Sequence, residues 1–168
     1  MEKIEINMEV NGKQQVIQVA PNDTLLEVLR EELDLTGSKE SCGEGACGSC
    51  TVQMDGKPVR SCLTLALEAD GCRIKTVEGL AEGEQLSDLQ ESFINHGAVQ
   101  CGFCTPGMLM AADALLAENP SPDRAQVKKA IAGNVCRCTG YAKIIDAVAH
   151  TGTPQKDCPD CLGHKGEE

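Results

Sequence analysis

The chain is almost without aromatic residues. Its 168 positions hold no Trp, one Tyr (Tyr141) and two Phe (Phe93 and Phe103), so any core must be built mainly from aliphatic side chains. Long apolar runs are missing as well. No segment approaches the ~20 residues needed to span a bilayer. The opening residues, Met1-Glu2-Lys3-Ile4-Glu5-Ile6, alternate instead of forming the apolar stretch of an export signal. Positive charge is scarce: 15 Lys and Arg face 26 Asp and Glu, a formal net charge of −11. That balance argues against nucleic acid and against an anionic membrane surface as partners. His96, His150 and His164 are scattered, and there is neither a Ser–His–acid set nor a phosphate loop with its lysine. The sequence therefore offers no active site of its own.

What the chain has in excess is cysteine, with eleven. The first four are Cys42, Cys47, Cys50 and Cys62, where Cys42-Gly-Glu-Gly-Ala-Cys47-Gly-Ser-Cys50 follows the C-x4-C-x2-C…C spacing of a plant-type 2Fe–2S site. Gly43, Gly45 and Gly48 lie between these cysteines. Their freedom lets successive N–H groups turn inward around an anion, where N–H···S contacts tune a reduction potential. The second four are Cys101, Cys104, Cys136 and Cys138, as Cys101-Gly-Phe-Cys104 and Cys136-Arg-Cys138. Thr105-Pro106 after Cys104 and Thr139-Gly140 after Cys138 read as helix starts, which favour a negative cluster. Paired cysteines also describe zinc ribbons, so spacing alone leaves zinc open for this second set.

Local patterns place these loops. Ile4, Ile6, Met8 and Val10 alternate, Asn11-Gly12 is a tight turn, and Val16, Ile17 and Val19 follow, which predicts a hairpin. Thr24-Leu25-Leu26-Glu27 is a capping box opening a helix through Leu29 and Leu33. Residues 50–54 predict a strand, Asp55-Gly56 a turn, and the return strand carries Cys62. A further strand is expected from Arg73 to Val77. Beyond it the pattern becomes helical: from Ser87 to about His96, from Thr105 to Glu118, from Ser121-Pro122 to Gly133, and from Gly140 to His150. The expected fold class is α+β, a β-grasp ferredoxin-like domain over residues 1–78 followed by a four-helix bundle over 79–150, with a polar tail at 151–168. Both domains are small, and metal clusters would act as staples.

The stretches Cys42 to Cys62, Gln100-Cys101-Gly102-Phe103-Cys104-Thr105-Pro106-Gly107-Met108 and Gly133-Asn134-Val135-Cys136-Arg137-Cys138-Thr139-Gly140-Tyr141 resemble the small iron–sulfur subunit of the molybdenum hydroxylases. This is the xanthine dehydrogenase family, with its quinoline, nicotinate, hydroxybenzoyl-CoA and carbon monoxide oxidising members. The resemblance implies two 2Fe–2S clusters, one per domain, ligated by the two cysteine sets. It implies a large partner subunit with molybdopterin-bound molybdenum and a medium subunit with FAD, in a heterotrimer or its dimer. Gln100 would hydrogen-bond the pterin and Cys138 would lie near it. Electrons left on molybdenum by substrate hydroxylation would be taken singly and passed to FAD. A free-standing two-cluster carrier, a zinc-stapled interaction module and a haem acceptor in place of FAD are the rival readings. N-heteroaromatic substrates are the expectation, with aldehydes, purines and aryl-CoA thioesters as the other classes.

Three cysteines fall outside both sets. Cys72 starts the expected strand and reads as a small hydrophobe. Cys158-Pro-Asp-Cys161, with His164, could be half a zinc site, but its polar surroundings favour disorder. Ser41 stands where the family pattern leads us to expect glycine, and Arg137 is either a charge offset or a spacer. The spacings and the lack of an export signal point to a reducing cytoplasm.

Overall fold

A computed structural model describes residues 2–152. Strands β1 (Ile4–Val10) and β2 (Lys13–Val19) form an antiparallel hairpin in which Ile6 faces Ile17 and Val10 faces Lys13. Its turn puts Asn11 and Gly12 at φ 50° and 78°, the left-handed pair that matches strand twist. A second hairpin joins β3 (Thr51–Met54) to β4 (Lys57–Arg60) through Asp55 and Gly56, also both at positive φ. Strand β5 (Arg73–Lys75) lies between the hairpins, parallel to β1 and antiparallel to β3, giving the order β2-β1-β5-β3-β4.

Under the sheet, the Thr24 capping box starts α1 (Leu25–Glu27), with the Thr24 hydroxyl accepting from Glu27 N–H and the Glu27 carboxylate returning to Thr24. The expected helix through Leu33 is realised differently. From Val28 to Glu32 the chain widens into a π turn, with Leu33 N–H donating to Val28 O. Asp34 then takes φ 58°, and Arg30 Nη1 donates to Thr36 O and Ser38 O, which fixes the entry to the first cysteine loop. One apolar cluster fills this half, drawing Ile6, Met8, Val19, Leu25, Leu29 and Val52 together.

Two expected boundaries differ. Cys62 is not on the return strand, because β4 stops at Arg60, whose carbonyl accepts from both Leu63 and Thr64 N–H and so turns the chain. The last strand ends at Lys75 because Thr76 bonds to the Asn11 side chain instead of a neighbouring strand.

Four helices follow: α2 (Asp88–Asn95), α3 (Thr105–Glu118), α4 (Arg124–Ala130) and α5 (Ala142–Ala149). Capping boxes start α2 at Ser87–Gln90 and α4 at Asp123–Gln126. The start of α4 is thus two to three residues later than Ser121-Pro122, since the Asp123 carboxylate, not Ser121, accepts from the first turn. Phe93, Met108, Val127, Ile144 and Val148 form the core of this half. Helix α3 buries Met108 to Ala112 in succession because it is covered on both sides, by the other helices and by β3. Across that second contact, Gln53 Nε2 donates to Met110 O and Asp113 Oδ2, and Lys75 pairs with Asp113 at 2.8 Å. No helix among the described residues is long and apolar enough to cross a membrane.

Candidate metal centres

The first set occupies the irregular loop between the π turn and β3, plus the turn after β4. Gly45 and Gly48 have φ 73° and 74°, conformations that an L side chain adopts only with strain. A Cβ on Gly45 would also run into the Leu63 side chain. Held this way, Cys47 N–H donates to Cys42 Sγ at 3.5 Å, and Cys50 Sγ stands 3.3 Å from Cys62 Sγ. Cys50 is buried, and the other three are half-buried. Burial pushes the Cys47 thiol up, but hydrogen bonds with the Ser49 backbone and hydroxyl and with Cys42 outweigh it and bring it to about 6. Burial, then hydrogen bonding to Cys50, pushes Cys62 up to about 11. The Cys47 thiol thus gives up its proton readily, as suits a ligand for a cation that displaces protons.

The second set is assembled from two separate loops. Cys101 and Cys138 are exposed, with sulfurs 3.6 Å apart, and Cys104 is paired with buried Cys136. Burial, then the Cys136 neighbour, pushes the Cys104 thiol up to about 12. Burial acts upward on Cys136 too, but hydrogen bonds from the Thr139 hydroxyl and N–H outweigh it, and its thiol lies below the ordinary range. Those donors stand 3.1 and 3.5 Å from Cys136 Sγ.

Cys104 stands at the start of α3 with Pro106 in the first turn, as expected, but the N-cap is Cys104 itself, and Thr105, which read as the cap, is already helical. The matching expectation for Cys138 fails. The N-cap of α5 is Tyr141, at φ 68°, and Thr139 turns its hydroxyl to the Cys136 sulfur instead of capping a helix. The Tyr141 hydroxyl accepts from Cys136 N–H at 2.9 Å, so the lone tyrosine braces this loop. Gln100 is exposed next to Cys101. Arg137 is exposed, and Cys72 is half-buried with its thiol towards Glu68 O. Cys158, Cys161 and His164 lie outside the described residues.

The donor set fits two dinuclear clusters. The thiols stand in twos, Cys50 with Cys62, Cys101 with Cys138, Cys47 beside Cys42 and Cys104 beside Cys136, as required where each of two irons takes two thiolates. A cavity of about 220 Å³ opens between the sets, bounded by Cys47 and Ser49 on one side and by Cys101, Cys104, Cys136 and Cys138 on the other.

Sequence reasoning missed two residues here. Arg60 donates to backbone oxygens of both cysteine loops, at Gly45 and Gly133, and Asn134, from the second loop, donates to Gly48 O of the first. Asn134 was visible only as part of a motif, and Arg60 carried no sequence signal.

Comparison with known proteins agrees with this geometry. Residues 8–91 match the model of a 2Fe-2S iron-sulfur cluster binding domain, and residues 76–149 match that of a [2Fe-2S] binding domain. The chain is 49% identical over 164 residues to the nicotine 6-hydroxylase small subunit of Paenarthrobacter nicotinovorans, covering 98% of this chain and 94% of that one. It is 51% identical over 150 residues to the nicotinate dehydrogenase small FeS subunit of Eubacterium barkeri, covering 89% and 96%. The crystal structure of quinoline 2-oxidoreductase from Pseudomonas putida 86 superposes with a TM-score of 0.87 at 52% identity, covering 92% of this chain and 94% of that chain. With two matched cluster domains, eight cysteines arranged for them and relatives of this identity and coverage, the chain belongs to the small iron–sulfur subunits of the molybdenum hydroxylase family.

Proposed function

We propose that this chain is the electron-transfer subunit of a molybdopterin-dependent hydroxylase complex. The observation that carries the reading is the gathering of eight thiols into two sets of four, each with its sulfurs in twos. Cys42 and Cys47 would hold one iron of the first cluster, and Cys50 and Cys62 the other. Cys101 with Cys138, and Cys104 with Cys136, would divide the second in the same way. Bound there, the 2Fe–2S groups supply one-electron redox chemistry. The chain's own residues hold the sulfurs, donate N–H and O–H groups to them, and keep water from Cys50 and Cys136.

The partners in this reading are a large molybdenum subunit and a medium FAD subunit, in a heterotrimer or its dimer. The relatives named as small subunits support a multisubunit complex. Exposure of Cys101 and Cys138, beside the exposed Gln100 amide, supports the second set as the one facing molybdenum, with Gln100 bonding the pterin. The Cys42 set would then lie on the FAD side. We place the domain division at residues 78 and 79, supported by the two separate apolar clusters, and the complex in the cytoplasm. Relatives acting on nicotine, nicotinate and quinoline support an N-heteroaromatic substrate, whose pocket would be in the large subunit.

The test is purification of the chain from its native host, with metal analysis of what accompanies it. Co-purification with a molybdenum-containing and a flavin-containing chain is expected. A stable chain holding zinc, without iron or partners, would overturn the reading.

A further inference from the structure

Arg60 ends β4, and its guanidinium reaches across the two cysteine loops. Nε donates to Gly45 O at 3.3 Å, inside the stretch between Cys42 and Cys47. Nη2 donates to Gly133 O at 2.6 Å, three residues before Cys136. Nη1 donates to Thr51 Oγ1 at 2.8 Å, beside Cys50. The fit is close, since a Cβ on Gly133 would meet Nη2 directly. Three acceptors in different directions suit the fixed fork of arginine and cannot all be met by lysine.

The charge matters as much as the geometry. Ion pairs among the described residues engage Arg73, Lys75 and Arg124, and none engages Arg60. In a chain with a net charge of −11, carboxylates are plentiful, yet this half-buried cation binds only neutral oxygens. Its positive charge is left uncancelled between two sites that become more negative when reduced. A nearby cation lowers the energy of the more negative state, and partial burial limits screening by salt.

We propose that Arg60 is a positioning residue shared by both iron–sulfur sites, clamping the two loops together and raising the reduction potential of each. The proposal rests on the two-cluster reading above.

The test is redox titration of the full chain in its complex, each cluster followed by its own EPR signal. Iron content is measured first, because a wild-type chain without two 2Fe–2S clusters sinks the two-cluster reading itself. With both clusters present, R60Q is expected to shift both midpoint potentials downward, and R60K to restore most of the shift by keeping the charge. Unmoved potentials in R60Q, or a shift confined to the Cys42 set, overturn the proposal. Should R60Q lose iron, G133A gives the decision. Gly133 has no left-handed φ to strain, so alanine there displaces the guanidinium from the second loop without removing it. G133A is expected to lower the potential of the Cys101 set more than that of the Cys42 set, and equal or absent shifts overturn the proposal.

Discussion

The backbone N–H of Val135 donates to the carbonyl of Cys47 at 2.8 Å. Cys47 belongs to the first cysteine set, and Val135 directly precedes Cys136 of the second. One hydrogen bond therefore ties a loop of the sheet half to a loop of the helical half. Asn134 reinforces it by donating from Nδ2 to Gly48 O at 2.9 Å and to Thr51 Oγ1 at 3.1 Å. The seam is narrow: a Cβ on Gly48 would strike Gly133 O, and one on Gly107 would strike Gly48 O.

Asn134 is 3% exposed, so its two donors cannot be replaced by water without opening the seam. N134A removes two buried hydrogen bonds at about 1 kcal/mol each, a cost of about 2 kcal/mol. For a chain of this size that corresponds to a fall in Tm of roughly 4–8 °C, read by differential scanning calorimetry. Iron content should be unchanged, because Asn134 touches no sulfur. An unaltered Tm would show that the seam carries no stability.

Ligand replacement should separate the two sites. C47S is expected to abolish one 2Fe–2S EPR signal and C104S the other, each lowering iron by half. C47S should also destabilise the sheet half, since a metal that binds only the folded chain contributes its binding free energy to folding. Loss of both signals in either variant would show that the two halves assemble their clusters as one unit, against the division at residue 78.

Thr139 offers a finer test. Its hydroxyl lies 3.1 Å from Cys136 Sγ. Donors to a ligating sulfur stabilise the reduced state. T139V keeps the shape and removes the donor, so it should lower the midpoint potential of the Cys101-set signal alone. Equal shifts in both signals, or none, would remove Thr139 from that role.

What the sequence revealed and what it concealed divide along separation in the chain. The cysteine registers, both hairpin turns and the span Thr105–Glu118 are local patterns, and the structure reproduces them. Arg60 was invisible because its partner Gly133 is 73 residues away, and Asn134 reaches 86 residues to Gly48. Thr139 was misread as a helix cap because a hydroxyl ahead of a helix has two possible acceptors, and only the assembled loop shows that Cys136 Sγ takes it. The expected helix through Leu33 failed for a similar reason. Arg30 is drawn to carbonyls at Thr36 and Ser38, and the chain widens there instead of continuing as α-helix.

The tail can be tested by truncation. Thr151 still belongs to the fold, its hydroxyl donating to Ala147 O at 3.0 Å, so the cut belongs after Gly152. The residues beyond it are polar, include Pro154 and Pro159, and show no apolar periodicity. Removing them should leave iron content and both EPR signals intact. Loss of a cluster would give Cys158 or Cys161 a ligand role.

Exposure supports the proposed order of the two sites relative to the partners. Cys101 and Cys138 reach the surface, whereas Cys50 of the other set is buried. Gln100 stands exposed next to Cys101, and among the described residues no hydrogen bond holds its amide. In the proposed complex the Cys101 set would face the molybdenum subunit, and the Cys42 set would be the outer one. In the assembled complex, magnetic coupling of the molybdenum signal should involve the Cys101-set cluster and survive C47S. That variant should still allow molybdenum reduction by substrate while blocking flavin reduction. Q100A should weaken the coupling or the association of the subunits while leaving the cluster's own spectrum in place, because Gln100 is not a ligand. If the coupling disappears in C47S with the Cys101-set signal intact, the order is reversed and the Cys42 set faces molybdenum.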